Sequence, residues 1–175
     1  EQIEKDRMEI LELLKGEKTV YGVNTGFGLL AHTTIATEDL KTLQENLIRS
    51  HACGVGELIP KEVVRSLMVL RLHTFCLGGS GISLPVIDLL KEMLAHDIIP
   101  CIPSKGSVGA SGDLAPLAHL ARALLGEGDV FYEGEKKLAQ EVFDQLGLPS
   151  LQPGPKEGLS LINGTHVMAT MAAHA

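Results

Sequence analysis

Four glycine-rich segments separate stretches of helical hydrophobic periodicity, and this alternation is the feature that most constrains the fold. Glycine is placed between well-formed helices where the chain must adopt a positive φ or bring its backbone close to another group. Loops held by rigid elements also carry a disproportionate share of binding and catalytic residues. The four segments are Tyr21–Gly28, Ser50–Gly56, Gly106–Asp113 and Gly158–Thr165. Candidate functional residues are therefore sought there first.

The stretches between these segments predict a mainly α-helical fold with glycine-rich active-site loops. Apolar residues recur at helical spacing over 2–15, and Gly16 ends the pattern. Pro60 and Ser83 are residue types that favour a helix start. At most a short β-hairpin is expected, over 130–138. The predicted helices cover 2–15, 37–53, 61–77, 84–96, 113–125 and 139–146, and a last one begins near 163–165.

Composition and charge exclude several classes of protein. A chain of 175 residues that is 45% hydrophobic and 21% charged is neither disordered nor a coiled coil. A net charge of −7 argues against nucleic acid or an anionic membrane as partner. No apolar run reaches the ~18 residues of a membrane span, which predicts a soluble protein. The cysteines Cys53, Cys76 and Cys101 lack metal-ligand spacing, which predicts buried free thiols, no metal site and a cytoplasmic location.

The glycine-rich segments do not match the common catalytic loops. Gly106–Gly112 lacks the lysine of a phosphate-binding loop, and no segment has the spacing of a dinucleotide fingerprint. A nucleophile elbow would need a second glycine at the position of Asp113. A triad of Ser111, His51 and Asp113 is conceivable because triads are defined by geometry. Asp113 is nevertheless poorly placed in the sequence to orient a distant imidazole, so a hydrolase is disfavoured.

The tripeptide Ala110-Ser111-Gly112 permits a different chemistry. The amide nitrogen of Gly112 can attack the carbonyl carbon of Ala110 to close a five-membered ring, and glycine allows that approach because it has no Cβ. Ser111 then loses its hydroxyl as water and leaves an electrophilic methylidene carbon. Asp113 could assist the proton transfers, and the following helix would favour negative charge on the ring. The alternative is an ordinary Gly/Ser loop capped by Asp113, and the tripeptide alone does not decide between them.

Taken together, the four segments resemble those of the aromatic amino acid lyases, the family of histidine, phenylalanine and tyrosine ammonia-lyases and the related aminomutases. The resemblance runs from about Val20 to the last residue and is greatest to the histidine-specific members. Its most specific part is Gly106-Ser-Val-Gly-Ala-Ser-Gly-Asp-Leu-Ala-Pro-Leu-Ala-His119. In that family Ala-Ser-Gly cyclises to 4-methylideneimidazole-5-one (MIO), which implies an autocatalytic prosthetic group from Ala110-Ser111-Gly112 and no metal or nucleotide.

The resemblance also implies roles for residues of the other segments. It assigns Tyr21 as the base that removes the β-proton of the substrate, and it places Gly28, in the same motif, with the substrate. Asn163 matches the family's asparagine beside the ring and substrate, and Asp113 matches the neighbour that helps ring formation. His51 matches the position that recognises the substrate side chain, where a histidine suits an imidazole or phenol better than a bare phenyl group.

The resemblance further predicts the organisation of the protein. It implies an N-terminal fragment of a longer chain, with an MIO-forming domain at 1–147, a linker loop at 148–158 and the start of a helical bundle at 159–175. Full-length members are homotetramers with shared active sites. His166 stands where the histidine-specific members usually have Gln. The open alternatives are a tyrosine or phenylalanine ammonia-lyase, an aminomutase, or an inactive folded fragment whose loop stays uncyclised.

Overall fold

The computed structural model of the chain describes residues 1–15, 19–26, 35–36, 39–106 and 112–175. Within these residues it is mainly helical, as the sequence predicts, and it also contains five short strands. The helices are α1 (Gln2–Lys15), α2 (Leu40–His51), α3 (Lys61–Cys76), α4 (Leu84–Ala95), α5 (Leu114–Leu124), α6 (Ala139–Leu146), α7 (Glu157–Ile162) and α8 (His166–Ala173). The strands are β1 (Val55–Leu58), β2 (Ile99–Pro100), β3 (Pro103–Lys105), β4 (Asp129–Tyr132) and β5 (Glu135–Leu138).

Helix α5 forms the centre of the hydrophobic core. Eight of its eleven residues are buried, which explains why its sequence is apolar on nearly every face. It packs against α2, α4 and α7, and fully buried side chains such as Leu67, Leu90 and Leu117 fill the space between the helices. The N-terminal end of this central helix is therefore held rigidly, and that end follows directly from the third glycine-rich segment.

The strands form two small antiparallel sheets. One pairs β1 with β3, and the other has the order β2-β4-β5. The predicted hairpin is confirmed as β4–β5, and its turn residues Glu133 and Gly134 both have positive φ, which suits a tight hairpin turn. The expectation of at most one hairpin was too low. The three additional strands, β1, β2 and β3, have only two to four residues each. None of them alternates between buried and exposed residues, and all four residues of β1 are exposed, so no strand pattern is visible in the sequence.

The helix predictions are confirmed for α1 to α6, with bounds that differ by a few residues. Gly16 and Thr37, the predicted end of the first helix and start of the second, lie outside the described residues. Helix α7 was not predicted, because residues 158–165 have the composition of a loop. Gly158 has a packing reason instead, since a Cβ there would lie 2.7 Å from the main-chain oxygen of Gln44 on α2.

Candidate active site

The third and fourth glycine-rich segments meet at the N-terminal end of α5. Asp113, which is 1% exposed, donates its main-chain N–H to the carbonyl oxygen of Gly164 over 2.8 Å. Its carboxylate Oδ2 accepts the main-chain N–H of Met168, in the first turn of α8, over 3.0 Å. The peptide that joins Gly112 to Asp113 is thus fixed through hydrogen bonds to two places in the 163–168 segment.

Gly112 also lies in close contact with this segment. A Cβ at Gly112 would lie 3.0 Å from the carbonyl oxygen of Gly164 and 3.5 Å from Oδ1 of Asn163. The first distance is tighter than ordinary van der Waals contact, so the approach favours glycine. The structure therefore brings together three of the residues that the sequence predicts for the site, Gly112, Asp113 and Asn163. The other ring-forming residues, Ala110 and Ser111, lie outside the described residues, as does Gly28.

The second glycine-rich segment is held against α5 by His119. The main-chain N–H of Gly54 donates to Nε2 of His119 over 3.0 Å. Burial and the nearby Arg122 lower the pKa of His119, which favours the neutral ring that this bond requires. A Cβ at Gly106 would lie 2.9 Å from Cα of Gly54, so the two backbones are in direct contact. The loop after α2 is thereby fixed next to Gly106 and α5.

His51 is the last residue of α2 and is half-buried. Its Nδ1 lies 2.9 Å from the carbonyl oxygen of Leu47, which can only accept, so Nδ1 carries the proton. In the neutral ring Nε2 is then the acceptor. This geometry weakens the triad alternative, because the structure gives Nδ1 of His51 a main-chain partner, and the Asp113 carboxylate accepts from Met168.

Tyr21 lies in a turn that precedes α2. Its side chain is 56% exposed, whereas the neighbouring Asn24 and Thr25 are buried. Their side chains fix the turn: Oδ1 of Asn24 accepts the N–H of Val20 over 2.7 Å, and Oγ1 of Thr25 accepts that of Gly22 over 3.2 Å. The phenol is therefore carried on a well-defined backbone and is open to solvent, unlike the buried Asp113.

Arg71 of α3, which was not predicted from the sequence, also lies near the site, and it is 2% exposed. Its Nη2 donates to the carbonyl oxygens of Ser160 and Leu161, the latter over 3.0 Å, and its Nη1 donates to that of Asn163 over 3.2 Å. The sequence did contain a signal for it. Arg71 continues the helical spacing of the buried residues 64, 67, 68 and 75, so it is a charged residue at a core position of α3.

Three further expectations concern the thiols, metal ions and membrane spans. Cys53 and Cys76 are free but exposed, so the prediction of buried thiols was wrong for these two. No group of three or more His, Cys, Asp or Glu side chains in the described residues is arranged to hold a metal ion. In the same part of the chain, no helix combines the length and apolar character required to cross a membrane.

Comparison with known proteins gives a consistent result. The sequence model of the family described as "Aromatic amino acid lyase" matches residues 1–175. The histidine ammonia-lyase of Deinococcus radiodurans is 49% identical over 175 residues, which are 100% of this chain and 33% of the relative. That of Shouchella clausii is 48% identical over 174 residues, 99% of this chain and 35% of the relative. The chain thus spans about a third of the length of the curated relatives it matches.

Solved structures show the same similarity in three dimensions. Histidine ammonia-lyase from Trypanosoma cruzi has a TM-score of 0.90 at 38% identity, over 99% of this chain and 33% of that one. Ergothionase from Treponema denticola has a TM-score of 0.95 at 32% identity, over 99% of this chain and 35% of that one. Tyrosine aminomutase from Streptomyces globisporus has a TM-score of 0.89 at 34% identity, over 98% of this chain and 32% of that one.

Proposed function

The chain belongs to the aromatic amino acid lyase family, and from this premise we propose that it is the N-terminal part of a histidine ammonia-lyase. The proposed reaction is the non-oxidative elimination of ammonia from L-histidine to give urocanate. The observation that carries the proposal is the fixed peptide between Gly112 and Asp113, in contact with Asn163 and Gly164. It lies where the proposed prosthetic ring would be built.

The prosthetic group proposed here is MIO, formed from Ala110, Ser111 and Gly112. The amide nitrogen of Gly112 bonds to the carbonyl carbon of Ala110. The carbonyl oxygen leaves as one water with the amide hydrogens of Gly112 and Ser111, and a C=N bond to the nitrogen of Ser111 replaces the C=O bond. Ser111 loses its hydroxyl and its α-hydrogen as a second water. The residues fit this chemistry, because Gly112 has no Cβ in a space that barely holds one, and the N–H of Asp113 fixes the next peptide. The ring, when formed, supplies an electrophilic carbon that makes the substrate's amino group a better leaving group.

The other proposed roles belong to side chains of the remaining segments. Tyr21 takes the β-proton of the substrate, and its exposure leaves the phenol accessible to a ligand. His51 recognises the substrate's ring, since its Nε2 can accept a hydrogen bond from an imidazole N–H or a phenol O–H. Asn163 and Gly28 contribute to substrate binding. Asp113 assists ring formation, next to the positive end of the α5 dipole, which favours negative charge developing there.

The organisation of the longer protein is part of the same proposal. Residues 1–147 would form the MIO-bearing domain, 148–158 the linker loop, and 159–175 the start of the helical bundle. The partners would be the amino-acid substrate and further copies of the chain in a homotetramer, and the protein would act in histidine breakdown in the cytoplasm. The second candidate is an aminomutase or a tyrosine-specific lyase, which the similarity to tyrosine aminomutase supports and the acceptor on His51 permits.

A chimera tests the reaction and the substrate together. The present segment replaces the matching third of the Deinococcus radiodurans relative, and the chimera is assayed with L-histidine, L-tyrosine and L-phenylalanine beside the parent enzyme. We expect urocanate and ammonia from L-histidine, no turnover with Ser111→Ala, and a loss of ~100-fold or more with Tyr21→Phe. Full turnover by Tyr21→Phe would refute the role of the base. A preference for L-tyrosine would favour the second candidate.

A further inference from the structure

The guanidinium of Arg71 caps the C-terminal end of α7. The last carbonyl groups of a helix have no partner within it, and Arg71 donates to those of Ser160, Leu161 and Asn163 together. A helix of six residues is too short to persist without such support. The end of α7, and therefore the position of Asn163, depends on this side chain.

Arg71 is buried without the usual compensation for a charge. No carboxylate of the described residues lies within ion-pair distance of it, and its buried Nε has no hydrogen-bond acceptor among the same residues. Burial lowers its pKa to about 10, so it stays charged at neutral pH. The ring of Phe75 lies 4.4 Å below the guanidinium. An apolar residue in this space would leave the carbonyl groups of Ser160, Leu161 and Asn163 without this donor, so the buried charge serves to fix the main chain at the end of α7.

The hydrogen bonds lead from Arg71 to the proposed ring in two short steps. Arg71 fixes the carbonyl of Asn163, and the next carbonyl along the chain, that of Gly164, accepts the N–H of Asp113 over 2.8 Å. That bond orients the peptide after Gly112. A Cβ at Gly164 would lie 2.9 Å from Nη1 of Arg71, so guanidinium and turn are in direct contact.

We propose that Arg71 is a positioning residue for ring closure: by capping α7 it sets the place of the Gly164 carbonyl, which binds the N–H of Asp113 and so restrains the peptide that follows Gly112, the residue whose amide nitrogen attacks. This inference rests on the proposed function. Arg71 binds the main chain of residues 160–163 and acts on Gly112 through Gly164 and Asp113, so its effect is on the rate and completeness of ring closure. An attack of this kind is sensitive to displacements of about 1 Å in the attacking group.

The test compares Arg71→Lys with two controls. Lysine keeps the charge but is a point donor, so it cannot serve all the acceptors that the guanidinium fork reaches. Arg65→Lys is the matched control on the same helix, where the side chain is about half exposed and pairs with Asp97 over 2.6 Å. Ile87→Ala, in the core on α4, is chosen as a control that lowers the melting temperature without touching the site.

Two readouts are taken on protein harvested soon after induction. Intact mass gives the fraction of chains that have lost two waters, and NMR gives the exchange rate of the Asp113 amide. In Arg71→Lys we expect a several-fold larger linear fraction and ~10-fold faster exchange at Asp113. Arg65→Lys and Ile87→Ala should match the unsubstituted chain in ring content. Arg71→Met should show a larger linear fraction still. A cyclised fraction in Arg71→Lys that lies between those of Arg71→Met and the unsubstituted chain would indicate that the donor groups of residue 71 position the peptide.

The outcomes for this inference and for the proposed function are distinguishable. If the unsubstituted chain loses two waters and Arg71→Lys does so as completely and as fast, with unchanged exchange at Asp113, the positioning role is wrong and the proposed function stands. The role is also wrong if Ile87→Ala has the same melting temperature as Arg71→Lys and contains as large a fraction of linear chain. If neither the unsubstituted chain nor the full-length chimera loses two waters, the proposed function fails and the positioning role fails with it. If only the chimera loses them, Arg71→Lys and its controls are compared by intact mass in the chimera, and equal ring content there refutes the positioning role alone.

Discussion

His166 is held as a neutral imidazole between a charged donor and a hydroxyl group. Its Nδ1 lies 3.2 Å from Nη1 of Arg71, which can only donate, so Nδ1 is the acceptor. The proton is then on Nε2, which donates to Oγ1 of Thr74 over 3.0 Å, and Thr74 in turn donates to the carbonyl oxygen of Leu70. Burial, with Arg71 as the second cause, lowers the pKa of His166 to about 4. The ring helps to orient the guanidinium that caps α7.

Replacement of His166 by Gln should change how stability depends on pH. The unfolded chain binds a proton at this residue near pH 6.5, while the folded chain does so only near pH 4, so the free energy of unfolding falls as the pH falls through this range. Because His166 is only partly buried, we expect a contribution of about 1–2 kcal/mol at pH 4. His166→Gln should flatten the curve, measured by urea denaturation from pH 7 to pH 4. His96→Gln, on the surface after α4, controls for loss of a histidine, and an unchanged slope in His166→Gln would contradict the assignment.

At the level of elements, α7 is held by buried polar groups at both of its ends as well as by Leu161 and Ile162 in the core. Oε1 of Gln44 accepts the N–H of Leu159 over 3.2 Å at its start, and Arg71 caps its end. Glu157, which is 2% exposed, accepts the main-chain N–H groups of Ser83 over 2.8 Å and Gly154 over 2.6 Å, with Arg7 at 3.8 Å. These contacts tie the short helix to α2, α3 and the start of α4 at once.

Substitution of Glu157 by Gln should therefore destabilise the fold. A carboxylate can accept hydrogen bonds from both main-chain N–H groups with its two oxygens. The amide of Gln has one oxygen, and its NH2 group, itself a donor, would face the second N–H. We expect a loss of about 1–3 kcal/mol in the free energy of unfolding, measured by urea denaturation at pH 7. Glu135→Gln, on the exposed strand β5, is the matched control and should change it by less than about 0.5 kcal/mol. Equal effects of the two substitutions would contradict this account of α7.

How far the sequence predicted these elements depends on where their stability comes from. Helices α3 to α6 follow from their periodicity because they pack through apolar faces, and the β4–β5 turn follows from Glu133-Gly134. Helix α7 could not be predicted in this way, because its six residues are too few to show a period and its ends are held by Gln44 and Arg71, which are distant in the sequence. Residue patterns alone likewise could not place Gly112 beside Asn163. The family resemblance suggested that proximity, and the structure shows it.

At the scale of the whole molecule, α8 presents an apolar surface to solvent. Met168 and Met171, three residues apart on one face, are 54% and 48% exposed, while Val167 is buried against the core. Val69 on the adjacent α3 is 52% exposed as well. Exposed apolar side chains grouped in this way favour association with another surface.

The chain should therefore self-associate through this surface. Sedimentation velocity should give a weight-average mass that rises above 18.7 kDa with protein concentration. The double substitution Met168→Glu and Met171→Glu should reduce that rise, because it places charges where apolar contact is expected. Leu138→Glu, at an exposed position on β5, is the control and should leave it unchanged. A strict monomer at every concentration would contradict the prediction.

The central claim is that Ala110, Ser111 and Gly112 are built to cyclise, and the intact mass of the purified chain tests it most directly. Ring closure and dehydration remove two waters, a covalent change of about 36 Da. The account predicts that the measured mass is lower by this amount than the mass calculated from the sequence. The Ser111→Ala variant should have the full mass calculated from its own sequence. A purified, folded chain whose mass equals that of its sequence would contradict the claim.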